Sequence, residues 1–260
     1  MAKKFDIRAR RDRSSDRSKN ILPLVDQNQP RIRRAAQEPL KALTMAQSEY
    51  MAEILGRTLT FGLGPAGTGK TYVCGRLAAK ALQNCDTDKL IITRPAVEAG
   101  ESLGFLPGEL DEKFEPFFAP FRDVLEEALG AGHVQGMIAA GRIEALPLAH
   151  MRGHTFKHAW VILDEAQNTT PAQMKLFLTR IGQNAKVIIN GDLSQKDIPG
   201  CSGLLDAIER LAGLEDMAIV EFSDADIVRS GIVQRIVERY RYNNDDADDS
   251  DGVKRYLRVA

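Results

Sequence analysis

Short apolar runs and longer helical patterns alternate along most of this chain. Continuous apolar runs rich in β-branched residues predict buried strands at residues 59–63, 89–93, 142–148, 158–163, 186–190 and 218–222. Helical spacing predicts helices at residues 46–55, 70–82, 121–129, 171–181, 202–211 and 225–241. Residues 98–120 are punctuated by Gly and Pro and are predicted to be irregular. Fully buried strands that alternate with helices are typical of parallel sheets. We therefore predict an α/β fold with a mostly parallel sheet and helices on both faces.

The two ends of the chain differ from its middle in charge. Among residues 1–34, eleven basic and four acidic residues give a net charge of +7, although the whole 260-residue chain carries only −1. Residues 1–38 show no hydrophobic periodicity, so we predict a disordered basic arm there. Five aspartates fall within residues 243–251, and residues 243–260 are predicted to form an acidic tail. Residues 39–242 would then form one domain.

Cysteine and apolar content limit the cellular setting. The three cysteines, Cys74, Cys85 and Cys201, are widely spaced and form no CxxC pair. This usage suits a reducing compartment, and neither these cysteines nor the four histidines have the spacing of a zinc site. No apolar run approaches the roughly 20 residues of a membrane span. We predict a cytoplasmic protein with no membrane partner.

A complete G-x-x-x-x-G-K-T motif follows the first predicted strand. In such a loop the glycines let backbone N–H groups surround phosphate oxygens, and the start of the next helix adds a positive dipole end. The lysine reaches the β- and γ-phosphates, and the threonine hydroxyl ligates Mg²⁺. The motif therefore predicts an ATP·Mg²⁺ site made of Gly64, Pro65, Ala66, Gly67, Thr68, Gly69, Lys70 and Thr71.

Polar residues follow two further predicted strands. Asp164 and Glu165 come directly after residues 158–163. Asp164 would hold Mg²⁺ and Glu165 would polarise the attacking water, although a helix-capping acidic pair gives the same pattern. Gln195 follows strand 186–190 in the segment NGDLSQ and is the candidate γ-phosphate sensor. A simple Gly-Asp turn is the alternative for that segment.

Several other residues have both a functional and an ordinary structural interpretation. Arginines that would stabilise transition-state charge are Arg94, Arg152, Arg229 and Arg235, and a solvated or paired arginine is the alternative for each. Gln47 has the paired donor and acceptor that read an adenine edge. Trp160 is predicted to lie in the core. The phenylalanines between 105 and 121 either pack against the sheet, stack on bases or dock a partner.

With these residues identified, residues 43–240 resemble the PhoH family of phosphate-starvation-inducible ATPases. The resemblance is carried by FGLGPAGTGKT at 61–71, TRPAVEAGESLGFLPGELDEKF at 93–114, HMRGHTF at 150–156, VILDEAQNTTPAQMKLFLTR at 161–180, NGDLSQKD at 190–197 and DIVRSGIVQRIV at 226–237. The long segment at 93–114 is much more specific than a P-loop.

The family resembles the first motor domain of superfamily 1 helicases, and this likeness implies roles for single residues. Gln47 matches the adenine-reading glutamine, Gln195 matches the glutamine that contacts the γ-phosphate, and Arg94 matches a motif on the nucleic-acid side. Asp164 and Glu165 match the magnesium and water-activating acids. The family implies ATP binding and hydrolysis with RNA-directed work.

The chain also departs from related proteins. Residues 1–38 are too short for the extra N-terminal domain of some relatives, and no second motor domain follows Ala260. The catalytic arginine would then come from the same domain or from another subunit. We therefore predict a ring, a hexamer, in which Arg229 or Arg235 acts in trans.

These expectations combine into one functional hypothesis with alternatives. The leading hypothesis is an ATPase of RecA-like P-loop fold that couples hydrolysis to RNA remodelling or unwinding. The alternative is a nucleotide-dependent switch that acts on a protein partner without nucleic acid. A small-molecule kinase fits less well, because Glu165 beside Asp164 suits water activation rather than phosphate donation.

Overall fold

The computed structural model describes residues 39–95, 110–151, 153 and 155–228. Within these ranges the strands are β1 Leu59–Leu63, β2 Lys89–Arg94, β3 Ile143–Pro147, β4 Ala159–Leu163, β5 Lys186–Gly191 and β6 Met217–Glu221. The α-helices are α1 Met45–Gly56, α2 Lys70–Asn84, α3 Leu110–Leu129, α4 Ala131–Ala139, α5 Pro171–Leu178 and α6 Gly203–Leu211. Short 3-10 helices cover Leu148–Met151, Ala166–Asn168, Leu193–Gln195 and Asp224–Asp226.

The six strands form one sheet in the order β3-β2-β4-β5-β1-β6. Every described pairing is parallel, and the register aligns Leu63 with Gly191 across β1 and β5, and Leu163 with Ile189 across β4 and β5. Strands β1 and β4 are buried along their whole length, which explains why their sequences are unbroken apolar runs. The parallel order brings the carboxyl ends of β1, β4 and β5 to the same edge of the sheet.

Helices cover both faces of this sheet. On one face α1, α2, α3 and α4 bury side chains that include Tyr50, Leu82 and Phe121. On the other face α5 and α6 bury Met174, Phe177 and Leu204 against the sheet. The predicted fold class, a parallel P-loop α/β sheet of RecA-like type, is confirmed, since the P-loop joins β1 to the first turn of α2. Of the helices in the described ranges, none is long and apolar enough to cross a membrane.

Side-chain caps fix where two of the helices begin. Thr170 accepts the backbone N–H of Gln173, and the Gln173 side chain accepts the backbone N–H of Thr170 at 2.8 Å, which forms a capping box ahead of Pro171. The predicted start of α5 at Pro171 is therefore confirmed, although the helix ends at Leu178 rather than 181. Thr44 caps α1 by accepting the backbone N–H of Gln47.

Apart from shifts of a few residues at the ends of elements, the described structure differs from the sequence prediction in three places. Residues 110–120 are helical rather than irregular, because α3 continues through Pro116 and Pro120. Helix α4 was not predicted, because its sequence AGHVQGMIA contains Gly and only Val134 and Met137 are buried. Residues 225–228, predicted as the start of a helix, instead complete a 3-10 turn and then leave the helical region at Ile227. The remainder of that predicted helix, 229–241, lies outside the described residues.

Candidate nucleotide-binding site

A cleft of about 340 Å³ opens at the edge of the sheet where β1, β4 and β5 end. It contains most of the residues that the sequence assigns to nucleotide chemistry. Its lining comprises Ala66, Gly67, Gly69, Lys70, Thr71, Tyr72, Pro120, Val124, Asp164, Glu165, Gly191, Asp192 and Gln195. The fold thus brings residues that lie up to 129 positions apart in sequence, such as Ala66 and Gln195, into one cleft.

The P-loop has a backbone that only glycine adopts easily at its first position. Gly64 has a φ of +137°, and a Cβ there would lie 2.2 Å from the carbonyl oxygen of Phe222. Gly67 and Gly69 also have positive φ values, and Gly69 precedes the first residue of α2 in a left-handed conformation. The loop therefore leads directly into the N-terminus of α2, the end of a helix at which backbone N–H groups have no partner within the helix.

The Lys70 ammonium lies inside the curve of its own loop. Its Nζ donates to the carbonyl oxygens of Gly64 at 2.6 Å and Pro65 at 2.9 Å, and to Thr68 Oγ1 at 3.2 Å. Burial lowers the pKa of Lys70, and the carboxylates of Asp192, Asp164 and Glu165 act in the opposite direction. This lysine is a charged donor held where phosphate oxygens would enter the loop.

Gln47 supports the P-loop from the side of α1. Its Nε2 donates to the carbonyl oxygen of Thr68 at 2.9 Å, and its Oε1 accepts the backbone N–H of Leu43 at 2.8 Å. A Cβ on Gly69 would lie 2.7 Å from Gln47 Nε2, so the amide packs directly on the loop. Gln47 is buried and does not line the cleft described above.

Asp164 and Arg94 form an ion pair at the base of the cleft. Arg94 Nη2 and Nε lie 2.5 Å and 3.1 Å from Asp164 Oδ2, and the two side chains are 16% and 7% exposed. Burial raises the pKa of Asp164, while the charge and hydrogen bonds of Arg94 lower it. Arg94 thus lies next to the expected metal-binding acid.

The donor set of the cleft suits Mg²⁺. Thr71 and Asp164 both line the cleft and offer a hydroxyl and a carboxylate oxygen, and Mg²⁺ is usually held by one or two carboxylates together with substrate phosphates. Among the described residues no group of three or more His, Cys, Asp or Glu side chains has the arrangement of a metal site. The cleft therefore suits a metal ion coordinated partly by the protein and partly by phosphate oxygens better than a metal ion coordinated by the protein alone.

Glu165 is held in a conformation that is uncommon for a residue with a side chain. Its φ is 55°, in the left-handed region, two residues after β4 ends at Leu163. This turn separates Glu165 from the buried Asp164, so that adjacent acids differ in exposure. The Glu165 carboxylate lines the cleft and accepts a hydrogen bond from Gln167 Nε2 at 2.7 Å.

Gln195 reaches the cleft from the 3-10 helix after β5. Its Nε2 donates to Asp192 Oδ2 at 2.8 Å, and Asp192 Oδ1 accepts the N–H and the hydroxyl of Ser194. Gly191 is the last residue of β5 and Asp192 caps the 3-10 helix, so this segment is a capped strand end rather than a simple Gly-Asp turn, and Gln195 lines the same cleft as the P-loop.

The sequence analysis did not identify Gln167, nor a second group of residues beneath the P-loop. Gln167 is buried between Glu165 and Asp192, and its place two positions after an acid pair is the only sequence signal. Beneath the P-loop the Tyr50 hydroxyl donates to Asn190 Oδ1 at 2.5 Å, and Asn190 Nδ2 lies 3.5 Å from Cys74 Sγ. No local pattern indicates the second group, because its members come from α1, β5 and α2.

The remaining predicted residues fall into two classes. Trp160, Phe118 and Phe121 are buried in the core, which confirms the packing interpretation for these three side chains. Arg152, Arg229 and Arg235 lie outside the described residues. The last described residue, Val228, donates its backbone N–H to the carbonyl oxygen of Gly67 at 3.0 Å, so the chain contacts the P-loop one residue before Arg229.

A family model described as "PhoH-like protein" matches residues 39–241 of this sequence. This range includes every residue placed in the cleft. The chain belongs to the PhoH family. Membership in this family and the P-loop cleft together support a P-loop NTPase fold.

Curated relatives agree with this assignment. The chain is 52% identical over 207 residues to a PhoH-like protein of Bacillus subtilis (strain 168), and the match covers 79% of this chain and 65% of the relative. It is 49% identical over 206 residues to Protein PhoH of Escherichia coli (strain K12), with 78% and 58% covered. This PhoH-family chain thus matches less than two thirds of the length of these relatives.

Two solved structures with a related shape are helicases of low sequence identity. The UvsW helicase of bacteriophage T4 gives a TM-score of 0.42 at 12% identity, covering 70% of this chain and 61% of that one. The Pif1 helicase of Candida albicans gives a TM-score of 0.38 at 13% identity, and the match covers 76% of this chain and 43% of that chain. Likenesses of this degree carry no argument about activity.

Proposed function

We propose that this protein hydrolyses ATP with Mg²⁺ and couples hydrolysis to the remodelling or unwinding of RNA. The hydrolytic part is supported by one arrangement in particular. A single cleft contains a lysine in the P-loop, an acid pair with different burial and a glutamine in the 3-10 helix that follows β5: Lys70, Asp164, Glu165 and Gln195. These are the groups needed to hold a triphosphate, a metal and an attacking water.

The P-loop would bind the phosphates. Lys70 would exchange the carbonyl oxygens of Gly64 and Pro65 for β- and γ-phosphate oxygens, which carry more negative charge. Thr71 and Asp164 would hold Mg²⁺, and the metal would neutralise charge on the phosphates. Asp164 must be ionised for this role, and Arg94 favours that form.

Glu165 would accept a proton from the attacking water while Gln195 orients it. An exposed carboxylate next to a buried one suits this division of roles, since the water must approach Glu165 from the cleft. Lys70 would stabilise the charge that develops on the phosphoryl oxygens.

Gln47 would recognise the adenine. Its amide makes one hydrogen bond through each end, to Thr68 and from Leu43. A primary amide has a second N–H and a second carbonyl lone pair, which match the donor and acceptor on the edge of adenine.

Phosphate release from Mg²⁺·ATP tests the hydrolytic proposal. We expect Lys70→Ala and Glu165→Gln each to lower kcat by roughly 100-fold or more. Matched controls are Lys80→Ala, at an exposed lysine of α2, and Glu209→Gln, at an exposed glutamate of α6 on the other face of the sheet. Turnover that survives both cleft substitutions in a homogeneous preparation would contradict the proposal.

RNA coupling is supported by the +7 charge of residues 1–34 and by the family resemblance. Single-stranded RNA is expected to raise the ATPase rate, and its affinity should fall steeply with salt because phosphate contacts release counterions. A chain without the basic arm should show a shallower salt dependence. Stimulation by neither RNA nor DNA would favour the alternative, a nucleotide-dependent switch acting on a protein partner.

We further propose that the protein acts in the cytoplasm as a ring, a hexamer, with Arg229 or Arg235 completing the cleft of a neighbouring subunit. Subunit mixing tests this arrangement. Arg229→Ala and Glu165→Gln chains, each inactive alone, should regain partial activity when combined, because some clefts then contain both groups. Equal turnover by a confirmed monomer would refute the ring.

A further inference from the structure

Gln167 connects the two halves of the cleft through a single buried side chain. It lies in the 3-10 helix Ala166–Asn168 after β4 and is 1% exposed. Its Nε2 donates to Glu165 Oε2 at 2.7 Å and lies 3.5 Å from the carbonyl oxygen of Gln195. Its Oε1 accepts the backbone N–H of Asp192 at 3.0 Å. No step proposed above uses this residue.

The two partners of the amide determine its orientation. An ionised carboxylate only accepts hydrogen bonds, and a backbone N–H only donates them. The nitrogen of Gln167 must therefore face Glu165, and the oxygen must face Asp192. Glutamate at this position would place an acceptor against the Glu165 carboxylate, and an apolar side chain would leave the Asp192 N–H unpaired in a buried place.

The surroundings hold Gln167 rigidly in this position. Ser202 Oγ donates to the Gln167 carbonyl oxygen at 2.8 Å. A Cβ on Gly191 would lie 2.9 Å from Gln167 Oε1, so the end of β5 packs directly on the amide. A side chain fixed at both its backbone and its tip is suited to fixing another side chain.

Glu165 needs such a partner because it is exposed. An exposed glutamate samples several rotamers, and a general base acts only when its carboxylate lies within hydrogen-bond reach of the water. The bond from Gln167 selects one rotamer and leaves the other carboxylate oxygen, Oε1, available to the cleft. The same amide accepts the backbone N–H of Asp192, and the Asp192 side chain accepts a hydrogen bond from Gln195 Nε2 at 2.8 Å, so hydrogen bonds connect Gln167 with Gln195.

We propose that Gln167 is a positioning residue for hydrolysis, which aligns the Glu165 carboxylate with the loop that carries Gln195. Contact between Gln195 and a γ-phosphate would then be transmitted to the base through a continuous series of hydrogen bonds. The inference rests on the proposed ATPase function and adds a residue that touches neither nucleotide nor metal. Its loss should impair the chemical step and spare nucleotide binding.

The main test is Gln167→Glu, which keeps the size of the side chain and an acceptor for Asp192 but removes the donor to Glu165. We expect kcat for Mg²⁺·ATP to fall by roughly 10- to 100-fold, within the range for a misplaced general base. KM, and the Kd of a fluorescent ATP analogue, should change by less than about threefold because the P-loop is untouched. Gln167→Met, which has similar length without the amide, provides the second test if the added buried charge prevents folding.

Asn168 supplies a matched control. It is also buried in the same 3-10 helix, and it joins the same two segments through Asp197, with its Nδ2 3.2 Å from Asp197 Oδ2 and its Oδ1 2.8 Å from the Asp197 N–H. Its side chain makes no hydrogen bond to Glu165 among the described contacts, and the bond from its backbone N–H to the Glu165 carbonyl oxygen at 3.1 Å is kept when the side chain is removed. Asn168→Ala should therefore keep kcat within about threefold of the wild type even if its Tm falls as much as that of Gln167→Glu.

A double-mutant cycle completes the test. If Gln167 acts through Glu165, adding Gln167→Glu to Glu165→Gln should lower kcat no further. The proposal is overturned if Gln167→Glu keeps kcat within threefold, if Asn168→Ala loses as much kcat, or if the double variant loses the product of both single effects. A wild-type chain that releases no phosphate would instead refute the ATPase function itself, and the inference with it.

Discussion

The hydrogen bond between Tyr50 and Asn190 allows a quantitative test of the packing beneath the P-loop. The Tyr50 hydroxyl donates to Asn190 Oδ1 at 2.5 Å, and both residues are 0% exposed. Tyr50→Phe removes the donor and leaves a buried amide oxygen without this partner. Such an unsatisfied group costs about 1–3 kcal/mol, so we expect the free energy of unfolding to fall by about 2 kcal/mol. For a domain of this size, that loss corresponds to a Tm decrease of roughly 4–8 °C.

Urea unfolding followed by circular dichroism measures this loss. Tyr72→Phe is the matched control, because its hydroxyl bonds to Glu127 at the surface and its removal should cost no more than about 0.5 kcal/mol. Combining Tyr50→Phe with Asn190→Ala should show a coupling energy of about 1–2 kcal/mol. Equal small losses at Tyr50 and Tyr72, or additive effects of Tyr50→Phe and Asn190→Ala, would refute the reasoning.

Three further predictions concern other parts of the described fold. Burial raises the pKa of Cys74 to about 12, so the thiol ionises at a lower pH in the unfolded chain than in the folded one. The buried neutral thiol therefore contributes its full stability below about pH 9, and this contribution is lost as the pH rises toward 12. Between pH 8.5 and 10, the urea midpoint of the wild type should decrease by the equivalent of roughly 1–2 kcal/mol, and the midpoint of Cys74→Ala should decrease by less. Equal decreases in the two midpoints would contradict this prediction. Gly64→Ala should weaken ATP binding by at least about tenfold because its Cβ would meet Phe222, whereas Gly56→Ala, with nothing within 4 Å, should bind normally in the same titration. Thr170→Ala should lower the free energy of unfolding by about 1 kcal/mol through loss of the α5 capping box, and an unchanged urea midpoint would argue against that cap.

The strand pattern could be predicted from the sequence because each strand is a local apolar run bounded by polar or turn residues. Helix α3 could not, because Pro116 and Pro120 are unfavourable inside a helix by about 3 kcal/mol each. Burial of Phe118, Phe121 and Leu125 in the core offsets this cost, and that gain depends on the sheet rather than on nearby sequence. Likewise, apolar character alone does not identify the buried face of α1, in which Leu55 is exposed and Tyr50 is buried.

For the site, too, residues in local motifs could be predicted from the sequence, and contacts between distant segments could not. Lys70, Thr71, Asp164 and Glu165 could be assigned because each lies in a short motif at the end of a strand. Arg94 was recognised as a candidate, but its pairing with Asp164 depends on two strands meeting side by side. Gln167 could not be assigned, since its buried hydrogen bond to the backbone N–H of Asp192 joins residues 25 positions apart in sequence.

The sheet order has a consequence for synthesis of the chain. Strand β1 ends in the nucleotide loop and is made early, yet its two neighbours, β5 and β6, are made 123 or more residues later. Until they emerge, the backbone N–H and C=O groups of β1 have no partner on either side, and a bare apolar strand readily pairs with other chains. Because Phe222 and Val228 also contact the loop, a nascent chain that stops before them lacks the framework that shapes it. The loop therefore acquires its final shape late in synthesis, after β5, Phe222 and Val228 have been made.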